Sequence, residues 1–336
     1  DSIANMTTVV TGASGFIGSV LVRKLLSQGR SVRAIVRSNL SGLRGLDVDI
    51  VKADIRDHDA IQRALNGAES VFHLAAEISL SGDHGGRVSE INVKGSENVA
   101  RAALNTGVKH FVHCSSIHSF DLRDTNKVID ESTPRVGNKH PIYDRTKAQG
   151  ESIVKRLVDD GLPAVFIHPS GVIGPGDHRP SRVGKLLLDL TTRRIPALVS
   201  GGFNWVDVRD VCEGAIAAEE FGGIGESYIL SGYWHSPREL ALFAEEITGI
   251  QPPRFNLPMN LVRTIVPLWD FWGWMTDSEP RFNSDALTAL RSAHNISHAK
   301  AHKELGYTPR AINISIRDAY IWFKQSGMLN KQLKQI

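Results

Sequence analysis

A chain of 336 residues, 41% apolar and 22% charged, is long enough for one large α/β domain or for a main domain with a smaller companion, and its composition is that of an ordinary globular enzyme. With 39 basic and 36 acidic side chains the formal net charge is only +3, so nothing draws the whole molecule to nucleic acid or to an anionic membrane, and any phosphate binding has to be local. Cys114 and Cys212 are the only cysteines, which argues against a disulfide framework or a cysteine-rich zinc site and fits a reducing, cytoplasmic setting.

The chain opens on Thr7-Thr-Val-Val-Thr11, a β-branched strand that runs into a turn with glycines at 12, 15 and 18. An amphipathic helix follows, with Val20, Leu21 and Leu25 on one face and Gly29 at its stop. Strand, glycine turn and helix in that order make a dinucleotide-binding start. Gly12 permits the tight turn, Gly15 lets backbone N–H groups approach a pyrophosphate, and Gly18 lets the helix pack close to the strand. Ser31 to Arg37 reads as the second strand and Val48 to Lys52 as the third. Asp57 or Asp59 begins a helix to Asn66. Ser70 to Ala75 is an apolar strand, and a long helix over roughly 87–106 is ended by Gly107. His110 to Ser115, a helix over about 143–160 closed by Gly161, and Pro163 to His168 complete six strands alternating with helices. That alternation predicts a doubly wound parallel sheet covered on both faces, a Rossmann α/β fold.

Beyond Pro169 the regular alternation is lost. Helices are expected near 183–194 and 208–221, a last strand over 226–230, a helix over 236–248 with Pro237 in its first turn, and a final helix near 314–325. The organisation expected is a dinucleotide-binding domain over 6–170 with returns near 204–230. A smaller, mixed α/β substrate-binding domain is expected over 171–203 and 231–326.

Two clusters carry chemistry. Tyr143 and Lys147 stand four residues apart, hence on one helix face, and a nearby cation favours the phenolate of a group whose ordinary pKa is about 10. As a phenol the same group protonates an alkoxide as hydride arrives. Ser115 and Ser116 end the fifth strand, at the carboxyl edge where open α/β sheets bind ligands, and a serine hydroxyl there can donate to a developing alkoxide. The plainer alternatives are a surface Tyr and Lys, and a serine pair that satisfies a turn.

Taken together, Thr11-Gly-Ala-Ser-Gly-Phe-Ile-Gly18, His73-Leu-Ala-Ala76, Asn92-Val-Lys-Gly95 with Asn98, the serine pair, Tyr143/Lys147, Pro169-Ser-Gly-Val-Ile-Gly-Pro175 and Asn204-Trp-Val-Asp-Val-Arg-Asp210 run the length of the chain. In that order they resemble the extended short-chain dehydrogenase/reductases, the NAD-dependent epimerase/dehydratase family. Within it the chain looks most like the dihydroflavonol-reductase-like group. The resemblance implies that Ser116 rather than Ser115 is the catalytic serine, beside Tyr143 and Lys147. It also implies a cofactor cradle of Gly12, Ser14, Gly15, Phe16, Ile17 and Gly18, with Asp54 and Ile55 at the adenine. Leu74, Ala75 and Ala76 would line the adenosine side, Pro169 would sit beside the nicotinamide, and a homodimer is a family expectation.

Arg37 and Ser38 follow the second strand where an acidic residue would signal NAD; a guanidinium suits the extra phosphate of NADP, so NADP(H) is the expected cofactor, with a solvated strand-end charge as the alternative. His294, His298 and His302 are spaced by four, but Ser297 is a candidate N-cap, only the last two histidines share a helix and no further ligand is evident, so no metal site is expected. Arg209 is the candidate substrate contact near Asp207 and Asp210, of which Asp210 is a candidate helix cap. The stretch 258–276 holds three of the six tryptophans. Arg263, Asp270 and Pro267 keep it from spanning a membrane, and Trp272 and Trp274 are expected to wall an apolar substrate pocket; an interfacial anchor and plain core packing are the alternatives. The activity expected is hydride transfer between nicotinamide and the carbonyl or secondary alcohol of a small apolar or aromatic molecule. The rivals are a nucleotide-sugar epimerase that retains its cofactor and a non-catalytic dinucleotide sensor. Ile117-His118 stands where dehydratases of this branch carry an Asp-Glu pair, which counts against dehydration.

Overall fold

The structure, a computed structural model, describes residues 7–79, 82–259 and 294–329. Seven parallel strands form the main sheet, in the order β10-β6-β5-β4-β1-β2-β3. They are β1 (Thr7–Thr11), β2 (Ser31–Val36), β3 (Asp49–Lys52), β4 (Ser70–His73), β5 (His110–Cys114), β6 (Ala164–Pro169) and β10 (Ser227–Leu230). The order reverses direction between β1 and β4, which opens a crevice above their carboxyl ends. β4, β6 and β10 are buried along their whole length, as strands covered on both faces are.

Helix α1 (Phe16–Ser27) packs Leu21, Val22 and Leu25 into one face beside Val211 and Ala215 of α7 (Val208–Phe221). The other face takes Ile61 of α2 (His58–Ala64), Val99 and Ala103 of α4 (Ser96–Thr106), and Val154 and Leu157 of α5 (Ile142–Asp159). The expected helix over 87–106 is not regular: one turn, α3 (Arg87–Ser89), passes through a π-helical stretch, Glu90–Gly95, before α4 begins. Asp57 caps α2 by accepting from Ala60 N–H, and Gly107, at φ +67°, ends α4.

The last expected strand returns to the main sheet as its edge, Ser227 opposite Phe166. The segment near 204 does not: β9 (Phe203–Asp207) pairs with β7 (Gly171–Ile173) and β11 (Tyr233–His235) in a separate three-stranded sheet. Two strands, β8 (Ala197–Val199) and β12 (Phe255–Leu257), pair beside it. Around them α6 (Arg182–Thr191), α8 (Pro237–Thr248) and α10 (Ile312–Gln325) form their own apolar cluster from Leu187, Leu240, Ile316 and Tyr320. A short helix, α9 (Ala299–Leu305), lies against α7. No helix among the described residues is long and apolar enough to cross a membrane.

Candidate active site

The glycine turn is built by close backbone approach. Gly12 sits at φ +68°, and a Cβ there would lie 2.7 Å from the Ala75 nitrogen, so the chain leaving β4 presses directly on the turn. A Cβ on Gly18 would lie 2.2 Å from the Gly12 carbonyl oxygen, which is how α1 comes so near the strand. Gly15 is the N-cap of α1 and has no side chain to cap with, so the first-turn N–H groups and the positive end of the helix face the crevice. These features fit the pyrophosphate of a dinucleotide. Ser14, Phe16 and Ile17 are part-exposed around the turn, and Arg37 and Ser38 are exposed just past β2.

Further along the same edge, the Asp54 carboxylate accepts from the Arg56 guanidinium at 2.8 Å, and that hydrogen bond holds the carboxyl below its ordinary range against the opposing effect of burial. Ile55 is buried against Gly95, where a Cβ would come within 2.5 Å of its Cδ1. The Leu74 and Ala75 backbones are tied to Thr11, the latter by N–H donation to Thr11 Oγ1 at 3.3 Å, and Ala76 is exposed beyond them. Pro169 ends β6, buried and in register with Leu230.

Ser116, Tyr143 and Lys147 come together at the carboxyl end of β5, all buried. Ser116 caps a short 3-10 turn, Ile117–Ser119, its Oγ accepting from the His118 backbone N–H at 3.2 Å. Burial pushes the Tyr143 phenol above its usual range, and hydrogen bonding to Ser116 pulls it partway back. Lys147 Nζ donates to the Cys114 carbonyl at 2.7 Å, and burial lowers its ammonium pKa. In the structure the Lys147 ammonium is directed at a backbone carbonyl, and desolvation dominates at the phenol.

One helical turn beyond Lys147 lies Glu151, which the sequence reading passed over. Its carboxylate accepts from Ser115 Oγ at 2.8 Å, from Arg135 at 2.7 Å and from Lys155 at 2.9 Å, and meets His168 Nε2 at 2.9 Å. Burial pushes Glu151 up, but the surrounding His168, Arg135 and Lys155 outweigh it and hold the carboxyl well below its ordinary value. Ser115 is thereby committed to structure, which leaves Ser116 as the serine facing Tyr143. The signal was in the sequence, since 143, 147 and 151 share one helix face.

Several expectations need correction. Arg209 does not stand open: its guanidinium holds Asp207 at 2.8 Å and Asp318 at 2.7 Å, clamping the start of α7 to α10. Asp207, not Asp210, caps α7, accepting from Arg209 N–H at 2.8 Å, while Asp210 binds the Arg310 side chain at 2.7 Å. His298 is itself the residue before α9, with Nδ1 at 3.1 Å from Ser231 Oγ, and His302 Nδ1 meets the Tyr307 carbonyl at 3.0 Å, so the two rings are engaged separately. Trp272 and Trp274 lie outside the described residues.

The model of the NAD dependent epimerase/dehydratase family matches residues 8–230, and the chain belongs to that family, the extended short-chain dehydrogenase/reductases. It is 34% identical to sterol demethylase protein B of Methylococcus capsulatus, over 96% of this chain and all of that one. It is 29% identical to a 4-hydroxy-2-methyl-3-oxo-4-farnesyl-3,4-dihydroquinoline-1-oxide ketoreductase of Stigmatella aurantiaca, over 96% and 97% of the two chains. The crystal structure of gox2253 superimposes with a TM-score of 0.85 at 35% identity, covering 96% of this chain and 99% of that one. Its homologues include dihydroflavonol 4-reductase-like and 3-beta-hydroxysteroid dehydrogenase-like proteins, so the chain falls among NAD(P)-dependent enzymes.

Proposed function

We infer that this protein is an NADP(H)-dependent reductase of a small apolar or aromatic ketone, working through Ser116, Tyr143 and Lys147. The observation that carries the reading is the buried Tyr143 phenol, raised by desolvation and hydrogen-bonded to Ser116 at the carboxyl edge of the sheet. A nicotinamide bound in the crevice would supply the hydride. The Ser116 Oγ accepts the His118 N–H, and a bound carbonyl oxygen would take over the hydrogen that Ser116 otherwise directs at Tyr143. Tyr143 holds a proton at its phenolic oxygen through neutral pH and gives it to that oxygen as negative charge develops. Lys147, fixed by the Cys114 carbonyl, retains two further N–H groups for a ribose hydroxyl and for the incoming charge.

Gly12, Gly15 and Gly18 would receive the pyrophosphate, with Leu74 to Ala76, Asp54 and Ile55 on the adenosine side and Pro169 at the nicotinamide. Arg37 and Ser38, exposed where an acidic residue would otherwise meet ribose hydroxyls, support NADP. The family description favours NAD in general terms, and Arg37 is the reason for departing from it here. Segments 171–203 and 231–326 form the substrate side in this reading. An apolar substrate is supported by Phe203, which stacks on the His118 ring beside Tyr143 and meets Trp205 edge to face at 5.5 Å, and by relatives named for a sterol and a farnesylated quinoline.

Mass spectrometry of nucleotide released from the purified protein, with NADPH and NADH consumption against a panel of ketones, aldehydes and nucleotide sugars, tests the proposal. NADPH is expected to bind more tightly than NADH, and Arg37→Asp to narrow or invert the difference. Equal affinities in the unsubstituted protein would remove the NADP assignment, and retained NAD with an epimerised sugar would replace the reductase by an epimerase.

A further inference from the structure

Lys147 carries an ammonium into the interior, and the partner its Nζ finds is the neutral carbonyl of Cys114. A neutral carbonyl orients a charge without balancing it, and a buried ammonium that lacks a counter-charge gives up its proton readily. The neighbouring strands do not supply one. His73 on β4 and His113 on β5 are rings held neutral by burial, and burial also pushes the Cys114 thiol up. Tyr143, one turn back on α5, is a phenol that burial likewise pushes up. One turn forward on the same buried face stands Glu151. Its carboxylate is held by Ser115, His168, Arg135 and Lys155. Of these, burial keeps His168 below its ordinary range, and the two cations reach in from the surface, Arg135 with 27% of its side chain exposed and Lys155 with 39%. Solvent screens those two charges, whereas Lys147 and Glu151 face each other through protein interior.

We propose that Glu151 is a positioning residue that acts through Lys147: its buried carboxylate is the counter-charge that keeps the lysine an ammonium, with its N–H groups available to the nucleotide. The inference rests on the reading of the crevice as a nucleotide site with Lys147 at the ribose. Burial lowers the Lys147 pKa, and Cys114 and Glu151 oppose it; with the thiol pushed up by its own burial, Glu151 is the partner that is charged at neutral pH. The same carboxylate fixes Ser115 at the end of β5, so one side chain on α5 sets both the charge of Lys147 and the place of the strand end that Lys147 binds. Glu151→Gln removes the anion and leaves Arg135 and Lys155 as uncompensated cations, so the lysine should lose its proton at lower pH. Nucleotide affinity then falls once the ammonium has become an amine.

The test reads the charge of Lys147 without turnover. NADPH is titrated by fluorescence into Tyr143→Phe protein, which has no phenol to ionise at that position, from about pH 7 up to the ordinary lysine value of about 10.4. Affinity should fall as Lys147 loses its proton, and Lys147→Ala in the same background should bind more weakly and evenly across the range. Adding Glu151→Gln should move the fall to lower pH by about one unit or more, and Glu151→Asp, which keeps the charge, by less than about half of that. Lys155→Met keeps the carboxylate and removes a cation that offsets it, so there the fall should move to higher pH; this variant decides the matter if Glu151→Gln does not fold. A fall at the same pH with and without Glu151→Gln, an equal move in Glu151→Asp, no upward move in Lys155→Met, or a fall that persists in Lys147→Ala would each overturn the inference. An equal move in the Asp variant would make Glu151 a packing residue whose charge is immaterial. If NADPH does not bind at neutral pH, the nucleotide reading of the crevice has itself failed, and this inference falls with it.

Discussion

At the residue scale the proposed chemistry depends on a phenol whose environment keeps its proton. Burial of Tyr143 outweighs the hydrogen bond from Ser116, and Lys147 is occupied with the Cys114 carbonyl. Tyr143→Phe keeps the ring and removes only the transferable proton, so turnover should fall by roughly 10² to 10⁴ with nucleotide affinity little changed, as steady-state rates and nucleotide titration would show. Lys147→Ala should weaken both. Turnover retained in the Phe variant would move the proton-donor role to another group. A second residue tests packing rather than chemistry. Both ring nitrogens of His113 are buried without a hydrogen-bond partner among the described residues, between the His73 ring at 5.5 Å and Phe166 at 5.7 Å. Leaving a buried polar group unpaired costs about 1–3 kcal/mol, so His113→Phe is expected to raise the urea midpoint at neutral pH. A lowered midpoint would mean that the imidazole has a partner the static arrangement does not display.

At the scale of elements, the join between β1 and α1 is held by backbone contact more than by side chains. A Cβ on Gly18 would press on the Gly12 carbonyl and on Ala13 Cα, and backbone cannot swing aside as a flexible side chain can. Gly18→Ala should therefore destabilise by about 1–3 kcal/mol and weaken nucleotide binding together, which paired thermal melts with and without NADPH would resolve. Unaltered nucleotide affinity would mean that α1 is not what presents the phosphate site. This element was legible from sequence because its demands are local: a β-branched run, three glycines at fixed offsets and a helical period. The same holds for the caps at Asp57 and Gly107 and for Tyr143 and Lys147 on one face. What was not legible are contacts made across long sequence separations. Asp318 lies more than a hundred residues from Arg209, and Arg310 lies 100 from Asp210, so no spacing rule announces either ion pair. The joining of β7, β9 and β11 into a second sheet is equally non-local. The π-helical turn at Glu90–Gly95 accompanies the fit of Gly95 over Ile55, a contact between separate elements that no local spacing announces.

At the scale of the whole molecule, three strands carry buried histidines beneath the site. Burial holds His73 down to about 3, with Lys147 adding to the effect, and lowers His113 and His168 as well, although Glu151 opposes the shift at His168. His73 and His113 fold as neutral rings, whereas in the unfolded chain a histidine titrates near 6.5. Depressed folded values mean that this stabilisation is fully present above about pH 6.5 and is lost as pH falls through the folded values, because the unfolded state takes up protons the folded state refuses. Urea midpoints should thus be highest at neutral pH and fall steadily below about 6.5, with a shallower fall in His73→Asn. A midpoint flat from neutral pH down to about 5 would show that these rings are not the acid-sensitive groups. The parallel sheet, the glycine cradle at one end of it and the Ser116–Tyr143–Lys147 cluster at the same edge converge on hydride transfer to a carbonyl. NADPH deuterated at its transferable nicotinamide hydrogen, incubated with the ketone the protein consumes fastest, examines that claim most directly. The account predicts one deuterium on the carbinol carbon of the product alcohol, transferred from a single face of the cofactor; an alcohol without label, or label retained on a tightly held nucleotide while a sugar epimerises, would contradict it.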